Sequence, residues 1–400
     1  MTRVGVLGRP RGAFVDPTGI VVPDDRGWAL AWRIGADDRW RMPEREAAVR
    51  QTLLDDAPVV RTAMRVPGGD ALLTCYGVPD AGGTVMVEIT NDSAAPFVAG
   101  LVVRGARSVA QDGGAITIDR GPGLVLPRAP SRWSVAVAGT TDVEVCGGAA
   151  REGPFPPLRD RAGRIEAAFL LPVPHRVTIR VAIAPATPAE VDLGGVPSSD
   201  DAARGWTAQL DRGMRVDLPD ARLTSAVRAA LAQVLLEAQS ARPGGDAVAA
   251  LEDWGFDAEA ADAWRSLSSR SRRRARARPT RPPTLDELDT LAGRSTTPDG
   301  VSAYAGPLLR CLRALLAFEA GDGSLSLLAE LPDGWRGQAL DVRDVPTRHG
   351  PVSYAVRWHG ERPALLWSAP AGVRVCAPGL DPDWSSVDAS GEALLTGSAA

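Results

Sequence analysis

The chain has 400 residues, 44% hydrophobic and 24% charged, with a formal net charge of −4. At roughly 100–200 residues per domain, this predicts two or three domains with real cores, and the bulk charge argues against a nucleic-acid binder. The 45 lysine-plus-arginine positions are all arginine, which excludes a P-loop lysine, a pyridoxal Schiff base and a lysine nucleophile.

Residues 1–58 are rich in Gly, Pro and Trp and read as irregular, with a short helix around 44–54. From residue 59 the pattern changes to short alternating runs bounded by Gly, Pro, Asn or Asp, the signature of strands. They fall at 59–66, 71–76, 84–90, 97–104, 115–119, 134–138, 143–146, 165–171 and 175–184. In the third, Val85, Val87 and Ile89 share one face while Met86, Glu88 and Thr90 share the other. Many short strands with regular turns predict an antiparallel sandwich over 59–216.

Near residue 217 the period switches. Leu223, Val227, Ala230, Leu231, Val234 and Leu235 recur at helical spacing, and Pro243-Gly244-Gly245 ends that amphipathic helix. A helical hairpin follows over 246–267. Asp246 is placed to cap its first helix, Gly255 to take the left-handed C′ position and Asp257 to cap the second, with Phe256 as a staple. Ala260, Trp264 and Leu267 would face inward. Residues 270–281 are Ser-, Arg- and Pro-rich without an acid and read as an exposed linker or a frayed helix end. A last helix over 307–319 starts at Gly306-Pro307 and ends by Gly321. Strands return at 338–344, 352–358, 364–367 and 373–376, and 381–400 reads as a loose tail. The fold class expected is α+β and multi-domain: an N-terminal antiparallel β-sandwich, a short incomplete α/α helical segment over 217–321 and a small C-terminal β-domain over 322–380.

Chemistry-bearing motifs are sparse. Cys75, Cys146, Cys311 and Cys376 are far apart, so there is no CxxC or zinc spacing, and separate reduced thiols are expected. His175, His349 and His359 are the only histidines, with no HExxH, so neither a metal nor a cofactor is called for. The segment Val4-Gly5-Val6-Leu7-Gly8 lacks dinucleotide-loop spacing, and Pro10 and Pro17 break the helix that should follow. Residues 1–16 carry no signal-peptide core, and no apolar run spans a bilayer, so a cytoplasmic location is expected. An acidic cluster is formed by Glu252, Asp253, Asp257 and Glu259. Glu252, Asp253 and Asp257 are the candidate catalytic carboxylates, since acid/base work needs two carboxyls with separated affinities for the proton in one cleft. Capping, the helix dipole and solvation account for the same residues without catalysis. Tryptophan is abundant, eleven against three tyrosines and six phenylalanines. Indoles stack on sugar rings but more often fill cores; Trp254, Trp264 and Trp335 are the candidate carbohydrate contacts. The 270–281 arginines could meet phosphates but lack interleaved aromatics for base stacking.

Two stretches carry a family resemblance. One is Leu331-Pro332-Asp333-Gly334-Trp335-Arg336-Gly337-Gln338, running on to Gly350-Pro351-Val352-Ser353-Tyr354-Ala355-Val356-Arg357-Trp358-His359-Gly360 and Arg362-Pro363-Ala364-Leu365-Leu366-Trp367. It resembles the small β-domain that closes bacterial six-hairpin glycosidases. The other is Ala250-Leu251-Glu252-Asp253-Trp254-Gly255-Phe256-Asp257-Ala258-Glu259-Ala260, which resembles one helix–Gly–helix hairpin of their α/α toroid. The β-rich first half would then match the sandwich that precedes the toroid. A full toroid needs about twelve helices, whereas 217–321 has room for about four at ordinary helix and loop lengths. Neither family carboxylate transfers to a position here, and an inverting pair needs carboxyls about 6.5–9.5 Å apart.

The resemblance therefore implies a degenerate, non-catalytic relative that binds carbohydrate or acts as a scaffold. The alternatives are an active inverting hydrolase with a reduced helical domain, and an assembly protein whose open helical face packs on a protein partner or a second copy.

Overall fold

The computed structural model describes residues 1–24, 26–119, 121–137, 139–184, 191–240, 243–276, 280–295 and 301–396. Ala138, residues 277–279 of the expected linker and residues 397–400 of the expected tail lie outside them. The chain is α+β with antiparallel sheets and divides into two compact units, Met1–Gly205 and Trp206–Ala400.

In the first unit the described residues form two antiparallel sheets. An eight-stranded sheet runs Thr2–Gly5, Gly12–Val15, Val21–Pro23, Ala29–Gly35, Phe97–Ala106, Ile165–Val173 and Arg132–Val137, with Trp40–Arg41 paired to Ala29–Gly35. A nine-stranded sheet is centred on Gly69–Val78, Thr84–Asp92 and Thr178–Ile183. Their inner faces share one core: Val85, Val87 and Ile89 of one sheet enter it with Leu101, Val103 and Phe169 of the other. The period-2 alternation read from the sequence is the cause, and burying each such side chain contributes about 1.5–3 kcal/mol.

Three local expectations fail here. Residues 1–58 are not irregular but supply strands to both sheets. No single helix covers 44–54: between short 3-10 turns at Pro43–Arg45 and Leu54–Asp56, Val49–Leu53 is a strand whose Val49 pairs with Met64 and Leu53 with Val60. Val49 and Leu53 fit a helical i, i+4 spacing equally well, and the hairpin decides between the two periods. Residues 143–146 are not a strand. They lie in helix α1, Thr141–Cys146, which buries Thr141 and Val145 and leaves Val143 72% exposed. Helix α1 covers the outer face of the eight-stranded sheet, where Val145 joins Val102, Ala168 and Leu170. The division between the units falls inside helix α2, Ser199–Leu210.

The second unit holds helices α3 (Ala221–Ala238), α4 (Gly245–Asp253), α5 (Asp257–Ser266), α6 (Ser269–Ala275), α7 (Leu285–Ser295) and α8 (Val301–Leu316). Six helices are thus described where about four were expected, still far short of a toroid. Asp220 caps α3, its carboxylate accepting from Arg222 N at 2.8 Å and Leu223 N at 3.1 Å. Gly255 takes φ +84° as foreseen. The other caps differ: Gly244 and Phe256 stand at the N-cap positions of α4 and α5, and neither Asp246 nor Asp257 caps through its side chain. Of the two readings of the arginine-rich stretch, helix holds over Ser269–Ala275.

Helix α8 begins before Gly306-Pro307 and runs through it. The residue before a proline ordinarily avoids the α region because its Cβ meets the proline ring, and glycine removes that clash. Gly306 also admits α4: a Cβ there would lie 2.8 Å from Asp246 C and 2.9 Å from Ala247 N. Backbone cannot move aside as a side-chain tip can. Gly306→Ala is therefore expected to destabilise the protein by about 1–3 kcal/mol, seen as a lower denaturant midpoint. An unchanged midpoint would show that α4 and α8 separate freely.

The strands of this unit form two small sheets. Arg215–Asp217, Leu340–Val345, Val352–His359, Arg362–Ser368 and Ser390–Leu394 make an antiparallel sheet. Ala317–Glu319, Leu325–Leu327, Val375–Ala377 and Asp381–Ser386 make a second, containing one parallel pair. The expected tail after 381 thus supplies a strand to each sheet. Its polar composition hid this, because edge strands exposed on one side need few apolar residues.

Candidate functional site

Two helices of the second unit present compatible faces. On α4, Asp246, Ala249 and Asp253 lie at i, i+3 and i+7; on α8, Pro307, Arg310 and Ala314 do the same. These faces line a cleft of about 860 Å³, completed by α6, the 280–287 segment and the stretches 318–319 and 346–348. Five carboxylates line it (Asp246, Glu252, Asp253, Glu287 and Glu319), with five arginines: Arg276, Arg281, Arg310, Arg313 and Arg348.

Most of these charges are engaged in ion pairs. Arg310 bridges the α4 stripe, with Nη1 at 3.0 Å from Asp246 Oδ1 and Nε at 3.3 Å from Asp253 Oδ2. Arg313 is 8% exposed; it donates to Glu319 Oε1 at 2.8 Å, to the Ala317 carbonyl at 2.7 Å and to the Pro346 carbonyl. Arg348 reaches the other Glu319 oxygen, with Nε at 3.3 Å. Arg281 donates to Glu287 at 2.7 Å, and Glu287 also accepts from Thr284 N. The Arg281 bond first, then the Thr284 amide, hold the Glu287 carboxyl below its ordinary value. Burial, aided by Glu287, pushes the Cys311 thiol in the cleft wall up to about 11, which disfavours its thiolate form at neutral pH.

The candidate residues separate by position. Glu252 and Asp253 line the cleft. Glu252 accepts from Trp264 Nε1, and Asp253 faces Arg310. Asp257 is exposed as the first residue of α5 and is not among the cleft residues; Glu259 pairs instead with Arg212 at 2.8 Å. A general acid requires a carboxyl held in a setting that favours its proton. Here each cleft carboxylate meets a guanidinium or an indole N–H.

Of the candidate sugar-stacking indoles, Trp254 is 0% exposed and donates to the Leu309 carbonyl at 3.0 Å. Trp335 is 6% exposed. Both therefore fill the interior and offer no ring face. Trp264, expected to face inward, is half-buried, with the Arg276 guanidinium 5.4 Å over its ring; it ties together two cleft residues, Glu252 and Arg276. All three histidines are exposed, and no group of three or more His, Cys, Asp or Glu among the described residues is placed to hold a metal.

Sequence reasoning missed Arg310, Arg313, Arg348, Glu287 and Glu319. The available signal was the pair Arg310 and Arg313 inside the otherwise apolar α8, since arginine on a helix with a buried stripe needs a partner. No family model matches the chain, and no curated protein matches it. No described helix is long and apolar enough to cross a membrane.

Proposed function

We propose that the protein is a non-catalytic, six-hairpin-glycosidase-like binding protein that takes a carbohydrate in the cleft between α4 and α8. The observation that carries this reading is the balanced set of guanidiniums and carboxylates around one large concavity. Arginine offers only donors and carboxylate only acceptors, and a sugar hydroxyl satisfies either. The paired state of the carboxylates, and the burial of Trp254 and Trp335, favour binding without hydrolysis. The cytoplasmic location belongs to the same proposal.

The test is thermal-shift screening of the full chain against neutral and acidic oligosaccharides, with hydrolysis assayed on every hit. Binding to the native state raises the midpoint by mass action, by about 2.7 kcal/mol of stabilisation at a hundred times Kd. Arg310→Ala is expected to lower affinity about tenfold or more, as loss of a charge-assisted contact does. Turnover, lost on Glu252→Gln or Asp253→Asn, would replace this reading with that of an inverting hydrolase. Absence of any shift across the panel would remove the carbohydrate and favour the assembly role.

A further inference from the structure

Between Asp262 and Asp286 the sequence carries eight arginines and no carboxylate. This run is built into the fold. Helix α6 is seated on the start of α4: a Cβ on Gly245 would lie 2.9 Å from the Ser271 carbonyl, and Ala275 is 4% exposed. The seating turns Arg270, Arg272 and Arg273 outward, all exposed. Among the described residues none of the three has an acidic partner, and Arg272 donates only to the Arg265 carbonyl, at 3.2 Å. Like charges at i, i+3, as Arg270 and Arg273 are, repel, so these three guanidiniums are short of counter-charge among the described residues. The adjoining cleft is balanced in number, lined by five acids and five arginines. Arg276 and Arg281 connect the two regions, since both line the cleft.

A positive rim beside a neutral, hydrogen-bonding cleft fits a ligand that is hydroxyl-rich along its length and negatively charged at intervals. Resting on the carbohydrate reading above, we infer that the ligand is an anionic glycan, whose carboxylate or sulfate groups meet Arg270, Arg272 and Arg273 while its hydroxyls occupy the cleft. A nucleic acid fits less well. The Trp264 ring is covered by Arg276 and Phe318 in the cleft wall is buried, so neither offers an open platform for bases.

The test is calorimetric titration of the full chain with a galacturonate hexasaccharide, a heparin-derived hexasaccharide, neutral maltohexaose and a single-stranded RNA oligomer. The acidic sugars are expected to bind about tenfold more tightly than the neutral one, with an advantage that shrinks at high salt. The combined variant R270A/R272A/R273A removes three exposed charges and is expected to erase that roughly tenfold difference without altering neutral-sugar affinity or the thermal midpoint. The carboxylated and sulfated sugars tell the two sources of charge apart, and either suffices. Equal affinity for neutral and acidic sugars overturns this inference and leaves the carbohydrate reading standing. Full affinity in the triple variant also overturns it, as does tighter binding of RNA. Failure of every sugar to bind overturns the carbohydrate reading itself.

Discussion

Trp254→Ala lowers stability by about 3–5 kcal/mol, the range for deleting a fully buried large aromatic. The indole is 0% exposed, and its Nε1 ties the end of α4 to α8 through the Leu309 carbonyl at 3.0 Å. Its own carbonyl accepts from Met214 N at 2.9 Å, and Gly213 sits so close that an added Cβ would lie 2.4 Å from that carbonyl oxygen. Surroundings fixed in this way cannot collapse into the vacated space, which puts the loss at the upper part of the range. Calorimetry should show the transition of the second unit lowered by about 10 °C. Trp254→Phe keeps most of the apolar volume and loses the N–H, so a cost of about 1–2 kcal/mol is expected. A wild-type midpoint in the alanine variant would contradict the account of this ring as the pin between α4 and α8.

The second large effect lies in the other unit. Arg33 is 2% exposed and stands on the outer face of the eight-stranded sheet. It holds Glu44 through Nη2 at 2.7 Å and Nη1 at 3.0 Å, and Asp142 through Nε at 3.2 Å. Arg104 reaches the same two acids, with Nη2 at 2.6 Å from Asp142. Removing one member of a buried ion network strands the others, and Arg33→Ala is expected to cost about 3 kcal/mol. The network joins strand Ala29–Gly35 to helix α1, so amide exchange in 141–146 should accelerate.

The pH dependence follows from Asp142. Burial raises its carboxyl affinity for a proton, but the bonds and charges of Arg33 and Arg104 outweigh burial and hold it below the ordinary value. A group lowered on folding stabilises above its unfolded value, about 3.9. That contribution is lost as pH falls through the lower folded value. Wild-type stability should accordingly fall with acid below about pH 4–5, and the Arg33→Ala variant should show a shallower fall in that window. Identical acid profiles for the two proteins would remove Asp142 from the explanation.

Two of the five cleft carboxylates were legible in the sequence as candidates. Glu252 and Asp253 drew notice because they cluster near a glycine-punctuated hairpin, and the cleft uses both. Arg310, the partner of Asp253, lies 57 residues beyond it, and Glu319 meets Arg348 from 29 residues away. Such pairs have no local period, so nothing in a window of the sequence announces them. Trp254 and Trp335 misled in the opposite direction: composition reports how many indoles there are, not which ones the fold covers.

Elements whose periodicity matches their final environment were fixed by the sequence itself. The strands around 60–106 and 165–183 alternate because one face enters the shared core. Helix α3 repeats at 3.6, with Leu223, Val227, Ala230 and Leu231 all buried, and Gly255 marks the turn between α4 and α5 because glycine takes its positive φ without strain. Tertiary structure alone decided the rest. Val143 and Val145 alternate like a strand, yet form a helix because Asp142 is drawn to Arg33 and Arg104 and Val145 to the sheet. Asp246 has the sequence position of a cap and is held instead by Arg310. Residues 381–394 look like a tail and complete two sheets. In each case the local preference is worth at most about 1 kcal/mol, and a partner distant in the chain offers more.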